Sequence, residues 1–258
     1  MRCRVCGLRQ DEPIWGVDGQ KATFDICACC GCEFGYEDCL PEAVRSNREK
    51  WIESGGAWFD PTNRPADWTM AAQLSAVPRF YFRVLAGLPG TGEPPVRFDV
   101  TGVGSSAEGF VVELTCSDGR RWVGNFQKGA GGKSAVFTVP GRSDQALVIA
   151  EGQAYVVEPE TRALIRTFGG RIDEVLCLVD REAMIFGNGL WFECAGAEGL
   201  RWRTRRISWD GMRDVSLDGA RLHGSAFNAL DATWSPFDVD VDTGEVTGGS
   251  YPPELPQP

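Results

Sequence analysis

Two cysteine pairs near the start of the chain have the spacing of a metal site. Cys3-Arg-Val-Cys6 is followed by Gly7, and Cys27-Ala-Cys-Cys30 by Gly31, with twenty residues between Cys6 and Cys27. Two residues between paired cysteines let one tight turn aim both sulfurs at a single ion, and the following glycine permits the open backbone of that turn. Zn²⁺ prefers four such soft ligands in a tetrahedron. Cys3, Cys6, Cys27 and Cys30 are therefore assigned as ligands of a structural zinc ion, because four protein ligands leave no open position for catalysis. Cys29 and Cys32 form a competing pair in the same register. The glycine after Cys30 matches the one after Cys6 and favours Cys27 and Cys30. A second metal drawing on Cys29, Cys32 and Cys39 is the alternative; otherwise these three read as small buried residues or free thiols.

Local elements must hold these turns. Ile14-Trp15-Gly16 and Ala22 to Ile26 flank the turn signal Asp18-Gly19, as in a small hairpin. Pro41 to Glu53 reads as a helix, with proline in its first turn, Val44, Arg48, Trp51 and Ile52 near one face, and Gly55-Gly56 as the stop. A second short helix, Asp67 to Leu74, follows Pro65. Trp15, Trp51, Trp58 and Trp68 are expected to pack these helices over the hairpin, since so small a module has few other large apolar groups; an aromatic binding face is the alternative.

The run Ile26-Cys27-Ala-Cys-Cys30-Gly31-Cys-Glu33-Phe34-Gly35-Tyr36-Glu37-Asp38 resembles the signature of small uncharacterised bacterial CPCC-type cysteine-rich proteins, where a Cys-Pro-x-Cys knuckle precedes a Glu/Asp-rich turn. The likeness continues through Trp51, Trp58-Phe59-Asp60-Pro61 and Gln73-Leu74, covering about residues 1–75. Ala28 stands where proline is usual, and the first knuckle also lacks proline, so its assignment rests on spacing. The resemblance implies a metal-binding module and brings no activity with it.

Beyond the module the chain changes character. Residues 79–96 read as a strand and a Gly/Pro-rich linker, and 97–258 as an antiparallel β domain, after a zinc-binding module at 1–78. In the β part, β-prone runs alternate with the turn dipeptides Asp118-Gly119, Glu151-Gly152, Asn188-Gly189, Asp210-Gly211, Asp218-Gly219 and Thr243-Gly244, which predicts successive hairpins. Val148 to Val157, Cys177 to Phe186 and Val215 to Gly224 share a strand–turn–strand pattern at intervals of 29 and 38 residues. That spacing suits blades of a propeller, with four at most; a sandwich or meander fits nearly as well. The fold class expected is α+β overall, a small zinc-ribbon-like module with two short helices followed by a larger all-β domain.

Other chemical motifs are weaker. Gly129 to Ser134 hints at a phosphate loop, but Gln127 stands where a glycine is needed and a strand follows where a helix should. Asp238, Asp240 and Asp242 hint at a calcium loop, but the glycine falls one place late and no closing glutamate arrives. Arg201, Arg203 and Arg205 share one face of a strand and are candidate contacts for an anion or a partner, the alternative being a solvated face paired with acids. His223 is the one histidine, with no nucleophile motif beside it.

The totals bound the function. The net charge is −10, with 43% apolar and 24% charged residues, which fits a folded globular protein and disfavours a sequence-independent grip on nucleic acid. Seven of the ten cysteines lie in the first 39 residues. They stand in metal-type pairs, and Met1-Arg-Cys-Arg-Val-Cys lacks the apolar run of a signal peptide, so thiolates on zinc in a reducing cytoplasm are expected. No run of ~18 apolar residues suggests a membrane helix. The reading that follows is a non-enzymatic protein-binding protein with a basic partner, in its sharpest form a bacterial toxin inhibitor or immunity protein. The alternatives are a hydrolase-type enzyme using β-domain carboxylates, or a zinc-ribbon nucleic-acid binder using Arg2, Arg4, Arg9 and Lys21. The last contends with 12 acidic against 8 basic residues in the first 75.

Overall fold

The computed structural model describes residues 2–12, 14–16, 21–100 and 108–256. Among these residues the chain is mostly β, with two short α-helices. Helix α1 (Pro41–Glu53) has the bounds expected from sequence. It buries Val44 and Trp51 but leaves Ile52 exposed, so the apolar face is narrower than its sequence suggests. Gly55 and Gly56, both at positive φ, close it by donating to Ile52 and Trp51 carbonyls. Helix α2 (Met70–Ser75) is shorter than the expected Asp67–Leu74. The Trp68 amide closes a turn on Pro65, and Thr69 takes the N-cap by accepting from the Ala72 amide at 3.2 Å, which moves the helix start to Met70.

Sixteen strands among the described residues form four four-stranded sheets in chain order. The first holds β1 (Tyr81–Val84), β2 (Val96–Phe98), β3 (Phe110–Thr115) and β4 (Arg121–Phe126), ordered β1-β3-β4-β2, with β2 parallel to β4. The Gly/Pro-rich run after β1 therefore lies as a loop between two strands of one sheet. The other three sheets are antiparallel meanders. They hold β5 (Ala135–Thr138), β6 (Ala146–Ala150), β7 (Gln153–Glu158) and β8 (Ala163–Gly169); then β9 (Glu174–Leu178), β10 (Ala183–Gly187), β11 (Phe192–Gly196) and β12 (Gly199–Arg203); then β13 (Met212–Asp218), β14 (Arg221–Asn228), β15 (Thr233–Asp240) and β16 (Val246–Gly248). Five of the six turn dipeptides sit between paired strands of one sheet. Asp210-Gly211 instead joins the third sheet to the fourth.

Period-2 alternation builds the core. In the second sheet Val136, Val148, Tyr155 and Val157 face the first sheet's Val112, Leu114, Trp122 and Phe126, while Phe137, Leu147, Ile149 and Val156 face Val175, Met184 and Phe186 of the third. Ile185, Phe192 and Cys194 then pack on Leu222, Phe237 and Val239 of the fourth. Both faces of the second sheet are covered, which is why Ala146 to Ala150 reads as an unbroken buried run. At the other end of the row, Tyr81 of β1 enters the core of the cysteine-rich segment. No helix among the described residues is long and apolar enough to cross a membrane.

Candidate metal centre and adjoining cleft

The two cysteine turns have the same backbone. Arg2 bridges Arg9 around Cys3 and Cys6, and Ile26 bridges Glu33 around Cys27 and Cys30. The Cys3 amide donates to the Leu8 carbonyl and the Cys27 amide to Cys32, while Gly7 and Gly31 donate back to Cys3 and Cys27. Gly7 (φ 81°) and Gly31 (φ 74°) occupy the left-handed region, and a Cβ on Gly7 would also lie 2.5 Å from the Gln73 carbonyl of α2. The expected turn Asp18-Gly19 lies outside the described residues, but its flanks pair, Thr23 donating to Ile14 and Lys21 to Trp15 at 3.0 Å each.

Facing each other, the turns bring the sulfurs of Cys3, Cys6, Cys27 and Cys30 within 4.8 Å of one another, and none is in a disulfide. Cys3 Sγ lies 3.7 Å from Cys30 Sγ, and Cys6 Sγ 3.6 Å from Cys27 Sγ. Burial alone would raise the Cys3 thiol, yet donation from Cys27, Cys32 and Cys6 brings it down to about 5. Cys27 pushes Cys30 up, and Cys3, Cys32 and Cys6 pull it down to about 5. Cys6 is raised, chiefly by its contact with Cys27 and then by the neighbouring sulfurs of Cys29, Cys3 and Cys30. So close a group of sulfurs shares protons until a cation replaces them, which is the donor set of a thiolate metal site.

The competing pair borders this quartet without joining it. Cys29 Sγ accepts from Gln73 Nε2 at 3.1 Å, and Cys32 donates weakly to the Glu33 carbonyl at 3.8 Å. Cys39 is exposed and donates to the Tyr36 carbonyl at 3.1 Å. Trp51 and Trp58 pack edge-on against Trp68, at 6.4 and 5.8 Å between ring centroids, as module core. Trp15 packs on the same core and carries Arg4 over its ring. Arg48 of α1 ties the first turn to the first sheet by donating to the Val5 carbonyl at 2.8 Å and to Tyr81 Oη at 3.1 Å.

The first turn also forms one wall of a cleft of about 340 Å³, whose other walls come from the first three sheets. Arg2, Arg4, Arg9 and Arg142 line it, with Glu182. Arg2 pairs with Glu182 at 2.9 Å and Arg9 with Asp180, both in the β9–β10 turn of the third sheet. The three N-terminal arginines thus line a cleft rather than an open basic face. Arg4 stacks on Trp15 at 3.9 Å. Asp38, buried beside them, is raised by desolvation against the Gly35 amide, Arg4 and the Trp15 indole, which donates to Oδ2 at 3.2 Å. Sequence reasoning missed this assembly because its members come from distant parts of the chain.

The remaining motifs have structural work. Arg201 donates to the carbonyls of Arg181 and Glu182 at 2.8 and 3.2 Å, Arg203 pairs with Glu193 at 2.6 Å, and Arg205 donates to the Gly248 carbonyl at 2.6 Å. Arg201 and Arg203 lie on β12 and Arg205 two residues beyond it, and each is engaged within the chain. Gly129 to Ser134 packs backbone to backbone on the second sheet: the Gly131 amide donates to Glu151 at 2.8 Å, and a Cβ on Gly131 would meet the Ile172 carbonyl at 2.5 Å. Glycine there permits close approach. Asp240 caps the β15–β16 turn by accepting from the Asp242 and Thr243 amides at 3.0 Å, Asp242 pairs with Arg181, and His223 contacts Asp238 across β14 and β15.

No protein-family model matches the chain. Its N-terminal region is similar to two curated proteins of Bacillus subtilis (strain 168). "Uncharacterized protein YoaQ" is 32% identical over 81 residues, covering 25% of this chain and 68% of the relative. "Uncharacterized protein YozI" is 27% identical over 81 residues, covering 25% and 67%. Among solved structures, the dihydro-heme d1 dehydrogenase NirN is similar at a TM-score of 0.37 and 15% identity, over 56% of this chain and 32% of that one. The Pan2 WD40 domain of Neurospora crassa gives 0.33 and 17%, over 46% and 37%. The Cps50 (Swd1) β-propeller domain of Myceliophteria thermophila gives 0.34 and 12%, over 57% and 58%. The chain thus spans less than two thirds of each of these structures, and its architecture is defined by its own strand pairing.

Proposed function

The chain belongs, through its N-terminal region, to the family of the Bacillus subtilis protein YoaQ, and from there we propose that it is a non-enzymatic protein-binding protein whose segment 1–78 is clasped by structural zinc. Four convergent thiols without a disulfide support the metal, and a complete sulfur quartet suits zinc held for structure. The observation that carries the binding role is an apolar surface on the second cysteine turn. Phe24, Ile26, Tyr36, Leu40 and Phe59 are each more than half exposed. The Phe59 ring lies over Gly31 and the Phe24 ring beside Gly35, so the rings gather on the turn itself.

Asp25, Glu33, Glu37 and Asp60 are sequence neighbours of these residues, and the whole chain carries −10. An apolar patch with acidic neighbours suits a partner that offers apolar side chains among lysines and arginines. A cytoplasmic setting fits the reduced thiols. The cleft offers four arginines and one glutamate, not the paired carboxylates of a hydrolase, which favours binding over catalysis.

The test is capture of partners on the immobilised full chain beside its Phe24→Asp/Phe59→Asp variant. A protein of basic isoelectric point, identified by mass spectrometry, held by the wild type, lost from the variant and released by about 0.5 M salt is the expected result. Equal recovery on both forms, or no enriched protein at either low or moderate salt, contradicts the reading.

A further inference from the structure

We propose that the cleft between the first cysteine turn and the first three sheets binds a small organic monocarboxylate with a flat apolar body, its carboxylate held by the Arg4 guanidinium. The charges lining the cleft single out that residue. Arg2 is paired with Glu182 at 2.9 Å, Arg9 with Asp180, and Arg142 with Asp144 at 3.2 Å. Among the described residues, Arg4 alone of the four has no carboxylate oxygen within ion-pair distance. Asp38 is near, but its oxygens accept from the Trp15 indole at 3.2 Å and the Gly35 amide at 2.6 Å, and Arg4 reaches only its backbone carbonyl, at 3.3 Å.

The faces of the Arg4 guanidinium are occupied by aromatic rings. Trp15 lies 3.9 Å and Phe82 5.1 Å from its central carbon. Stacking fixes the plane of the group, and the in-plane N–H groups not directed at the Asp38 carbonyl have the geometry that a carboxylate accepts. Trp15 and Phe82 themselves line the cleft, and Phe80, Val136, Phe137 and Met184 extend its apolar wall. One cation without a direct ion pair, stacked on such walls with Asp38 and the cysteine sulfurs behind it, suits a single carboxylate on an apolar body better than a more highly charged group. A phosphate dianion would leave a charge unpaired there. The volume, about 340 Å³, lies at the lower end of small-molecule sites. This site is separate from the proposed partner surface and does not depend on which metal the cysteines hold.

Titration calorimetry of the full chain with 2-naphthoate, the neutral 2-naphthalenemethanol and 2-naphthyl phosphate tests the proposal. Naphthoate is expected to bind at one saturable site at least about tenfold tighter than the alcohol, as a charge-assisted pair implies, and tighter than the phosphate. Arg4→Gln should abolish the preference for acid over alcohol. Ser75→Trp, a change at an exposed residue lining the cleft, should weaken both ligands. If Arg4→Gln fails to fold by circular dichroism, Ser75→Trp decides, since unchanged naphthoate affinity there would put the site elsewhere. No saturable binding, equal affinity for acid and alcohol, a preference that survives Arg4→Gln, or tighter binding of the phosphate overturns the proposal.

Discussion

The cysteine-rich segment and the row of sheets are held together in different ways. In the segment, four sulfurs from two turns converge on one point, with a modest apolar core around Trp51, Trp58 and Phe34. In the sheets no single group dominates, because Val136, Ile149, Ile185 and their neighbours share the burial among three successive layers. A fold centred on one point has its stability concentrated in a few residues, whereas a layered fold loses it in increments. The difference also frees the segment's surface. Large apolar side chains such as Phe24, Tyr36 and Phe59 remain exposed there, while the inner strands of the second sheet are buried on both faces.

The contrast can be broken most forcefully at the metal. A structural zinc contributes ~10–16 kcal/mol, so stripping it with a chelator should open the first 78 residues to protease while the sheet fragment stays resistant; simultaneous cleavage of both would refute separate stabilisation. In the layers, Phe126→Ala removes a ring stacked 4.7 Å from Phe98. It should cost about 3–5 kcal/mol in denaturant unfolding without changing metal content.

A smaller effect belongs to Tyr155, which is fully buried and donates to the Gln127 carbonyl at 2.8 Å. Burial, with help from Asp99, pushes it up to about 12. Because the folded value lies above the unfolded one near 10, its contribution is intact below pH ~10 and lost as pH rises toward 12, amounting to about 3 kcal/mol at most. Tyr155→Phe should flatten that alkaline decline in a pH series of unfolding midpoints. Smallest of all is the Arg2–Glu182 pair between segment and third sheet, partly exposed on both sides. Glu182→Gln should shift stability by less than about 1 kcal/mol, and a larger change would mean that the two regions are coupled more tightly than their cores suggest.

What the sequence disclosed follows the range of each interaction. The cysteine spacing, the bounds of α1 and most hairpin turns depend on neighbours a few residues away and were legible. The internal repeat was legible but out of register. Val148 to Val157 falls on β6 and β7, the second and third strands of their sheet, whereas Cys177 to Phe186 and Val215 to Gly224 fall on the first and second strands of theirs. Hence only the 38-residue interval joins equivalent hairpins, and the sheets themselves recur from Ala135 to Glu174 to Met212 at 39 and 38 residues. All β hairpins share the same alternation, so pattern alone does not say which pair of a sheet is being seen. The cleft was illegible for a stronger reason. Arg4 sits between two assigned ligands and reads as a surface cation until Trp15 and Phe82 stack on it, and Arg2 meets a glutamate 180 residues away.

The zinc content of the purified full chain, compared with its Cys27→Ser and Cys29→Ser variants, tests the central claim most directly. One zinc per chain in the wild type and in Cys29→Ser, with loss in Cys27→Ser, is the predicted result. A wild type without stoichiometric zinc, or metal that survives Cys27→Ser and disappears with Cys29→Ser, would contradict it.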